Sequence, residues 1–328
     1  MSTLGRSSEP DDAAAGSGVL LAVDVGGTGI KAMLARPDGT ALVETSRPTP
    51  PGDGDGAVRE VVAVGRELLD RFAGPAERVG LAVPGIVDGE TGVAVYSANL
   101  GWRRSPVAAT VADALGLPVV LVHDVTAAGV AEHRLGAGRG ADDLLVVAIG
   151  TGIAAAVIAG GRPVVGGVGQ AGELGHLVVR TGGRPCGCGR RGCLEAEASA
   201  RAIASAYAER IGSPVAGAAE VAARLADDED ARAVWQAAVD ALADGLLDAV
   251  ALLGTSRVVL GGGLSNAGDL LLRPLAEAMR ERASVHVLPE LVAAELGSRG
   301  GVVGAALLAA ESRQLHRPGS TALTGGSP

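Results

Sequence analysis

Lysine is nearly missing from this chain of 328 residues. Lys31 is the single example, and every other basic side chain is Arg or His. Aromatic residues make up 2% of the chain against 48% hydrophobic overall, so the core must be built from Ala, Val, Leu and Ile. Basic charge is outnumbered: 28 Lys and Arg face 37 Asp and Glu, giving a net charge of −9 and a pI near 5.1. That balance argues against nucleic acid as the main partner. No apolar run approaches the ~18 residues of a membrane span, so no membrane partner is expected. The first 18 residues are Ser, Ala, Gly and acid. They lack the apolar centre of a signal peptide and read as a disordered tail, as does the stretch 313–328. Without an export signal, and with thiols wanted as ligands, the expected compartment is the cytoplasm.

Cysteine is scarce but concentrated. All three, Cys186, Cys188 and Cys193, fall within eight residues, and His176 lies ten positions before the first. Three thiolates and an imidazole are a complete tetrahedral set for Zn²⁺, which makes the site closed and structural. Gly187, Gly189 and Gly192 let the backbone wrap tightly enough for near-neighbour thiolates to reach one ion. Three reduced thiols on a glycine-rich loop, or one disulfide with a spare, are the alternatives. Glu173 and Glu195 flank this knuckle without being needed by it. An ion fixing His176 and Cys193 also fixes the backbone beside both carboxylates, and so can hold a polar binding site in place. The plainer reading is two solvated glutamates, with Glu195 starting a helix.

Glycine, by contrast, is abundant, with 51 residues. Val19–Val23 and Ala32–Ala35 read as two strands joined by Asp24-Val25-Gly26-Gly27-Thr28-Gly29-Ile30-Lys31, a hairpin. Bare glycines there admit a phosphate to the backbone N–H groups, and Thr28 adds a hydroxyl. Asp24 can hold a Mg²⁺–water cluster, and the lone Lys31 fits a point-charge role at phosphate. Gly150-Thr151-Gly152-Ile153 sits between strands 144–149 and 154–159 and repeats Gly27-Thr28-Gly29-Ile30. The repetition implies two related α/β domains, each with a glycine hairpin, gripping a polyphosphate from both sides. A third glycine run, Gly261-Gly262-Gly263, closes the strand Arg257–Leu260, where backbone can lie close to an adenine or ribose; an ordinary turn is the alternative.

Between these loops, Val61, Val64, Leu68 and Phe72 mark a helix, as do Val107, Val111 and Leu115. Asn99 sits in a loop and offers a donor and an acceptor suited to a sugar hydroxyl, or is a plain turn residue. Pro118–Val122 reads as a strand running into His123-Asp124, with a helix over Thr126–Leu135. Asp124 therefore stands where open α/β sheets place ligands, and can equally be a helix N-cap. Further on, Trp235 to Leu253 form one long amphipathic helix, Ser284–Leu288 a last strand, and Val302–Ser312 a final helix packing back on the first domain.

Together these motifs resemble the ROK family of sugar kinases, in the actin-like, sugar-kinase ATPase superfamily. The resemblance runs from about Val19 to Ser312. It rests on Asp24–Lys31, Asn99–Trp102, the Asp124 strand end, Gly150–Gly152, the Glu173–His176 run and the Cys186–Glu195 knuckle. It implies an α/β fold of two related actin-like (ribonuclease H-like) domains around a cleft, with a zinc knuckle. Their expected limits are 19–124, completed by 301–312, and 125–300. It further implies that Asp124 is the general base and that Asn99, His123, Glu173, His176 and Glu195 line the sugar site. Asp24, Gly26, Gly27, Thr28, Lys31, Gly150, Thr151, Gly152 and Gly261 to Gly263 would hold ATP with Mg²⁺. His176, Cys186, Cys188 and Cys193 would bind structural Zn²⁺, in a homodimer.

Two departures stand out: His123 replaces an asparagine common in the family, and Ala154 and Ala155 stand where glycines are common. Family repressors carry a winged helix before the first glycine loop, and the 23 residues preceding Asp24 are too few for one. The activity expected is an ATP-dependent hexokinase acting on the 6-hydroxyl, with glucose first. N-acylhexosamine or fructose kinases, polyphosphate as donor, and a non-catalytic sugar sensor are the other possibilities.

Overall fold

The computed structural model describes residues 18–315 apart from 51, 73, 168 and 286. The tails expected at 1–18 and 313–328 lie outside these residues, except that Gly18 leads into the first strand and the last helix runs to Leu315. The first half contains β1 (Val19–Val25), β2 (Gly29–Ala35), β3 (Ala41–Pro48), α1 (Gly54–Arg71) and β4 (Ala76–Val83). Three short strands follow, β5 (Ile86–Asp88), β6 (Val93–Ser97) and β7 (Trp102–Ser105). Then come α2 (Val107–Leu115), β8 (Val119–His123) and α3 (Asp124–Leu135). The second half contains β9 (Leu144–Ile149), β10 (Ile153–Ala159), β11 (Arg162–Val164), α4 (Leu194–Ala198), α5 (Ala200–Ile211), α6 (Ala218–Ala223) and α7 (Glu229–Leu253). It ends with β12 (Arg257–Gly261), α8 (Asp269–Arg282), β13 (Glu290–Ala293) and α9 (Gly300–Leu315).

The repeated glycine tetrapeptide reflects a repeated topology. One sheet has the order β3-β2-β1-β4-β8, the other β11-β10-β9-β12-β13. In each, the first three strands form an antiparallel meander, and the last two join the central strand in parallel. The central strands are near-continuous apolar runs, such as Leu-Leu-Val-Val-Ala-Ile in β9, because helices cover both faces. On one outer face α1 and α2 seal the first sheet around Leu21, Leu34, Leu68 and Leu81. On the other, α4, α5, α7 and α8 seal the second around Ile149, Leu194, Trp235 and Leu260.

Among the described residues, α9 on the first sheet and α3 on the second lie between the sheets. Glycine lets these layers approach. A methyl group on Gly80 of β4 would collide with the Ala305 carbonyl of α9, one on Gly129 of α3 with the Ala156 side chain of β10, and one on Gly304 of α9 with the Ala127 carbonyl of α3. The shared core is correspondingly small-featured: Ala22, Ala82, Ala127, Ala131, Ala156, Ala305 and Ala306 among a few Val, Leu and Ile.

Two sequence expectations change. The stretch 284–288 is not a strand in its described residues; Val285 and Val287 are exposed, and the edge strand is Glu290–Ala293. Asp124 is the first residue of α3 and not its cap, a position that falls to His123 without a side-chain capping bond. Ala155 is buried in the core of the second sheet, its N–H bonded to the Gly172 carbonyl at 2.8 Å.

Candidate functional site

Asp24 lies at the end of β1, directly opposite Lys31 of β2. Burial drives its carboxyl up to about 7; the nearby charge of Asp124 adds to the rise, and Lys31 opposes it. The start of α9 closes over it, since a methyl group on Gly301 would sit 2.5 Å from Asp24 Oδ2. Lys31 meets the same segment: its Nζ donates to the Ser298 carbonyl at 2.5 Å, just before α9. Asp124 follows the end of β8, two strands from β1 in the same sheet. Its Oδ1 accepts the Val125 N–H at 2.7 Å and lies 3.2 Å from His123 Nε2. The two adjacent side chains therefore meet rather than diverge, because the strand ends between them.

The two glycine turns are built alike. Gly26 N–H donates to the Gly29 carbonyl and Gly150 N–H to the Gly152 carbonyl, both at 2.9 Å. None of these four glycines has positive φ. At Gly150 glycine serves bareness, since nothing lies within 4 Å of a methyl group placed there, while at Gly26 a methyl group would crowd the Gly29 carbonyl at 3.1 Å. Gly27 and Thr28 are exposed, as is Thr151. The third run does need glycine. Gly262 has φ +81°, and a methyl group there would sit 2.5 Å from the Ile149 carbonyl oxygen, so this run is pressed against the second hairpin.

Asn99 sits in the turn before β7, its Nδ2 3.9 Å from where a methyl group on Gly27 would be. Glu195 reaches the second hairpin: its Oε2 accepts the Ile153 N–H at 3.1 Å, and a methyl group on Gly152 would collide with it. Glu173 and His176 belong to a segment held on β10 by Gly172 and Gly175, where any side chain would strike the carbonyls of Ala155 and Ile153. Glu173 Oε2 lies 3.7 Å from His176 Nε2.

The other imidazole nitrogen faces the cysteines. His176 Nδ1 is 3.7 Å from Cys186 Sγ, Cys188 Sγ is 3.6 Å from Cys193 Sγ, and all four ligand atoms lie within 4.8 Å of one another. Ligands about 2.3 Å from a tetrahedral zinc are separated by about 3.8 Å, so the set fits such an ion. The three thiols are free, and a 3.6 Å separation is far from a disulfide bond. Burial pushes the Cys193 thiol up to about 12, with Cys188 and Cys186 adding to it. A thiol so placed gives up its proton readily only to a cation, whereas the Arg190 backbone N–H holds the Cys188 thiol below its ordinary value. Gly192 has φ +73° and is packed on the Arg180 carbonyl, and the Cys186 N–H closes onto the Arg190 carbonyl at 2.8 Å.

The model of the ROK family matches residues 20–312. The chain belongs to the ROK family. It is 32% identical over 320 residues to the curated glucokinase of Streptomyces coelicolor, covering 90% of this chain and 98% of that one. It is 33% identical over 291 residues to the N-acetylmannosamine kinase of Escherichia fergusonii, covering 88% and 97%. The crystal structure of a ROK family glucokinase from Streptomyces griseus with glucose and AMPPNP superposes with a TM-score of 0.79 at 31% identity, covering 90% and 100%.

Two features of this ROK chain escaped the sequence reading. Thr49, buried just beyond β3, donates its hydroxyl to the Gly26 carbonyl at 2.7 Å and its N–H to the Thr28 carbonyl at 3.2 Å, bracing the first turn. A threonine after an exposed strand carries no local signal for that. Beside Thr151 opens a cavity of about 440 Å³ between α5 and the segment Pro214–Ala218, lined also by Arg201 and Ser205. Its lining joins one face of α5 and the loop after it to a hairpin turn distant in sequence, which no spacing rule connects.

Proposed function

We propose that this protein is an ATP-dependent hexokinase that transfers the γ-phosphate to the 6-hydroxyl of a hexose, with glucose the preferred substrate. The observation that carries this reading is the pairing of two like glycine hairpins, one in each sheet, with Asp124 at a strand end beside Asp24. In this reading Asp124 Oδ takes the proton from the sugar hydroxyl as its oxygen bonds to the γ-phosphorus. The bond from that phosphorus to the bridging oxygen breaks, and ADP leaves. The His123 imidazole, in contact with Asp124, orients the carboxylate and borders the sugar. Asn99, Glu173, His176 and Glu195 supply the remaining donors and acceptors for ring hydroxyls.

Asp24, Gly26, Gly27, Thr28, Lys31, Gly150, Thr151 and Gly152 would hold the phosphates, and Gly261–Gly263 with the cavity beside Thr151 the nucleoside. Bound Mg²⁺ would supply charge neutralisation on the phosphates, held through Asp24. Bound Zn²⁺ would be held by His176, Cys186, Cys188 and Cys193, cross-linking the knuckle that positions Glu173 and Glu195. The lobes in this reading are 19–124 with 301–312, and 125–300, closing on the sugar to exclude water. A homodimer in the cytoplasm completes it. Among the described residues no helix is long and apolar enough to cross a membrane.

An N-acetylated hexosamine is the second substrate reading, supported by the 33% identity to an N-acetylmannosamine kinase. ADP release measured with purified protein across glucose, mannose, fructose and N-acetylmannosamine decides between them. The highest kcat/KM is expected on glucose. No ADP release on any sugar would instead mark a non-catalytic sugar-sensing regulator.

A further inference from the structure

Glu132, near the end of α3, is only 2% exposed, and no ion pair among the described residues engages it. A buried carboxylate without a cation is costly unless N–H donors surround it. Here three do. Glu132 Oε2 accepts from Ala137 N at 3.0 Å and Glu295 N at 3.1 Å, and Oε1 accepts from Leu296 N at 2.7 Å. Its own carbonyl accepts from Gly136 and Gly138, and Gly136 has no room for a side chain beside the carboxylate. The carboxylate thus does two things at once. It closes the end of α3, and it clasps the strap of residues 295–299 that leaves the second sheet and enters α9.

That strap leads straight to the site. Ser298 takes the Lys31 ammonium, and Gly301, five residues beyond Leu296, rests on Asp24. Asp124 is at the opposite end of the helix that carries Glu132. We propose that Glu132 is a positioning residue for phosphoryl transfer, clasping the 295–299 strap so that α3 and α9 present Asp124 and Asp24 to the same reacting groups. The proposal rests on the kinase reading given above. It predicts that loosening the clasp costs turnover more than affinity, because misplacing a reacting group by about an ångström costs up to about 100-fold in rate.

Glu132→Gln tests it. The substitution keeps the shape but turns one acceptor into an amide N–H facing a backbone donor. Purified wild type and variant are compared by steady-state kinetics and by hydrogen exchange. The expected result is a kcat lower by about 10- to 100-fold with KM for sugar and ATP within about 3-fold. Amides of residues 295–299 should exchange faster, while those of α5 and α7 keep wild-type rates. Glu132→Asp, which keeps the carboxylate on a shorter stem, should recover part of kcat, and it replaces the Gln variant should that fail to fold. A variant with reduced melting temperature but wild-type kcat and KM would make Glu132 merely structural and overturn the proposal. So would unchanged exchange across 295–299. Should the wild type phosphorylate no hexose, the kinase reading fails by itself, and the exchange comparison still decides whether Glu132 holds the strap.

Discussion

Asp24, near the end of β1, and Asp124, just after β8, belong to one sheet but stand in different surroundings. Asp124 has a backbone N–H and an imidazole on it; Asp24 is enclosed, with Gly301 against its oxygens. In the kinase reading Asp124, at the end of the strand facing the expected sugar site, is the base. Asp124→Asn keeps size and removes that capacity, and general-base loss costs about 10²–10⁴-fold in rate. The expected outcome is a collapse of kcat with nucleotide affinity, read by calorimetry, little changed; near-normal turnover would retire Asp124 as base. Asp24 carries a different expectation, in stability. Its folded value of about 7 stands above the ordinary 3.8. Below about pH 4 the carboxyl is protonated in both folded and unfolded chain, and the fold is not penalised. Between about pH 4 and 7 the unfolded chain releases its proton while the folded chain keeps it, so stability falls as pH rises, by an order of a few kcal/mol in all. Asp24→Asn has no such titration. Its melting temperature should gain on the wild type as pH goes from 5 to 8, and parallel curves would refute the burial argument. The residue types at this site were readable in the sequence because each stood beside glycines or at a strand end. Their partners were not: Thr49 on the first hairpin, Glu195 on the second and Lys31 on Ser298 join positions 20 to 270 residues apart, and local pattern carries no such information.

The elements were legible where they were long or punctuated. The hairpins declare themselves by apolar runs interrupted by glycine, and α7 by its periodicity between the Asp228 cap and Gly254, whose φ is +63°. The flap strands β5 to β7 are three to five residues each and fall below what alternation can reveal. At the last strand, Pro289 separates two short apolar runs, 284–288 and 290–293, that periodicity cannot rank. Only the pairing of Arg257–Leu260 with Glu290–Ala293 decides. The knuckle was legible for another reason: metal ligation needs particular atoms, and the chain holds only three thiols. One Zn²⁺ per chain is expected by elemental analysis. Structural zinc in small domains contributes about 10–16 kcal/mol of apparent binding energy, but here two of the three cores contain no knuckle residue, and the third takes only Leu194 from it. A chelator should therefore abolish activity at temperatures where far-UV circular dichroism is unchanged, because Glu173 and Glu195 lose their anchorage first. Zinc-free protein with freely reactive thiols and full activity would end this reading.

At the scale of the molecule, the repeat seen in a tetrapeptide becomes two sheets of identical order joined through one thin double layer of helix. What makes the layer thin is glycine and alanine at three successive interfaces: Gly80 beneath α9, Gly304 between α9 and α3, and Gly129 beneath α3. The low aromatic content noted at the outset has a structural counterpart here, since no ring could fit between helices this close. Such a stack joins the halves through close backbone approach together with a core of small side chains. Gly304→Ala tests how much of the whole depends on it. Its methyl group meets the Ala127 carbonyl, a backbone atom that cannot rotate away. Overpacking of this kind costs about 1–3 kcal/mol. Since the core at this seam draws on both sheets, the wild type should unfold in a single calorimetric transition, and the variant should show a lower first transition with the halves beginning to melt apart. Separation should also slow turnover at saturating sugar and ATP, because Asp124 stands on α3 and Asp24 under α9. Wild-type melting and turnover in Gly304→Ala would mean that the helices have slack the geometry denies them, and that the halves are held together elsewhere.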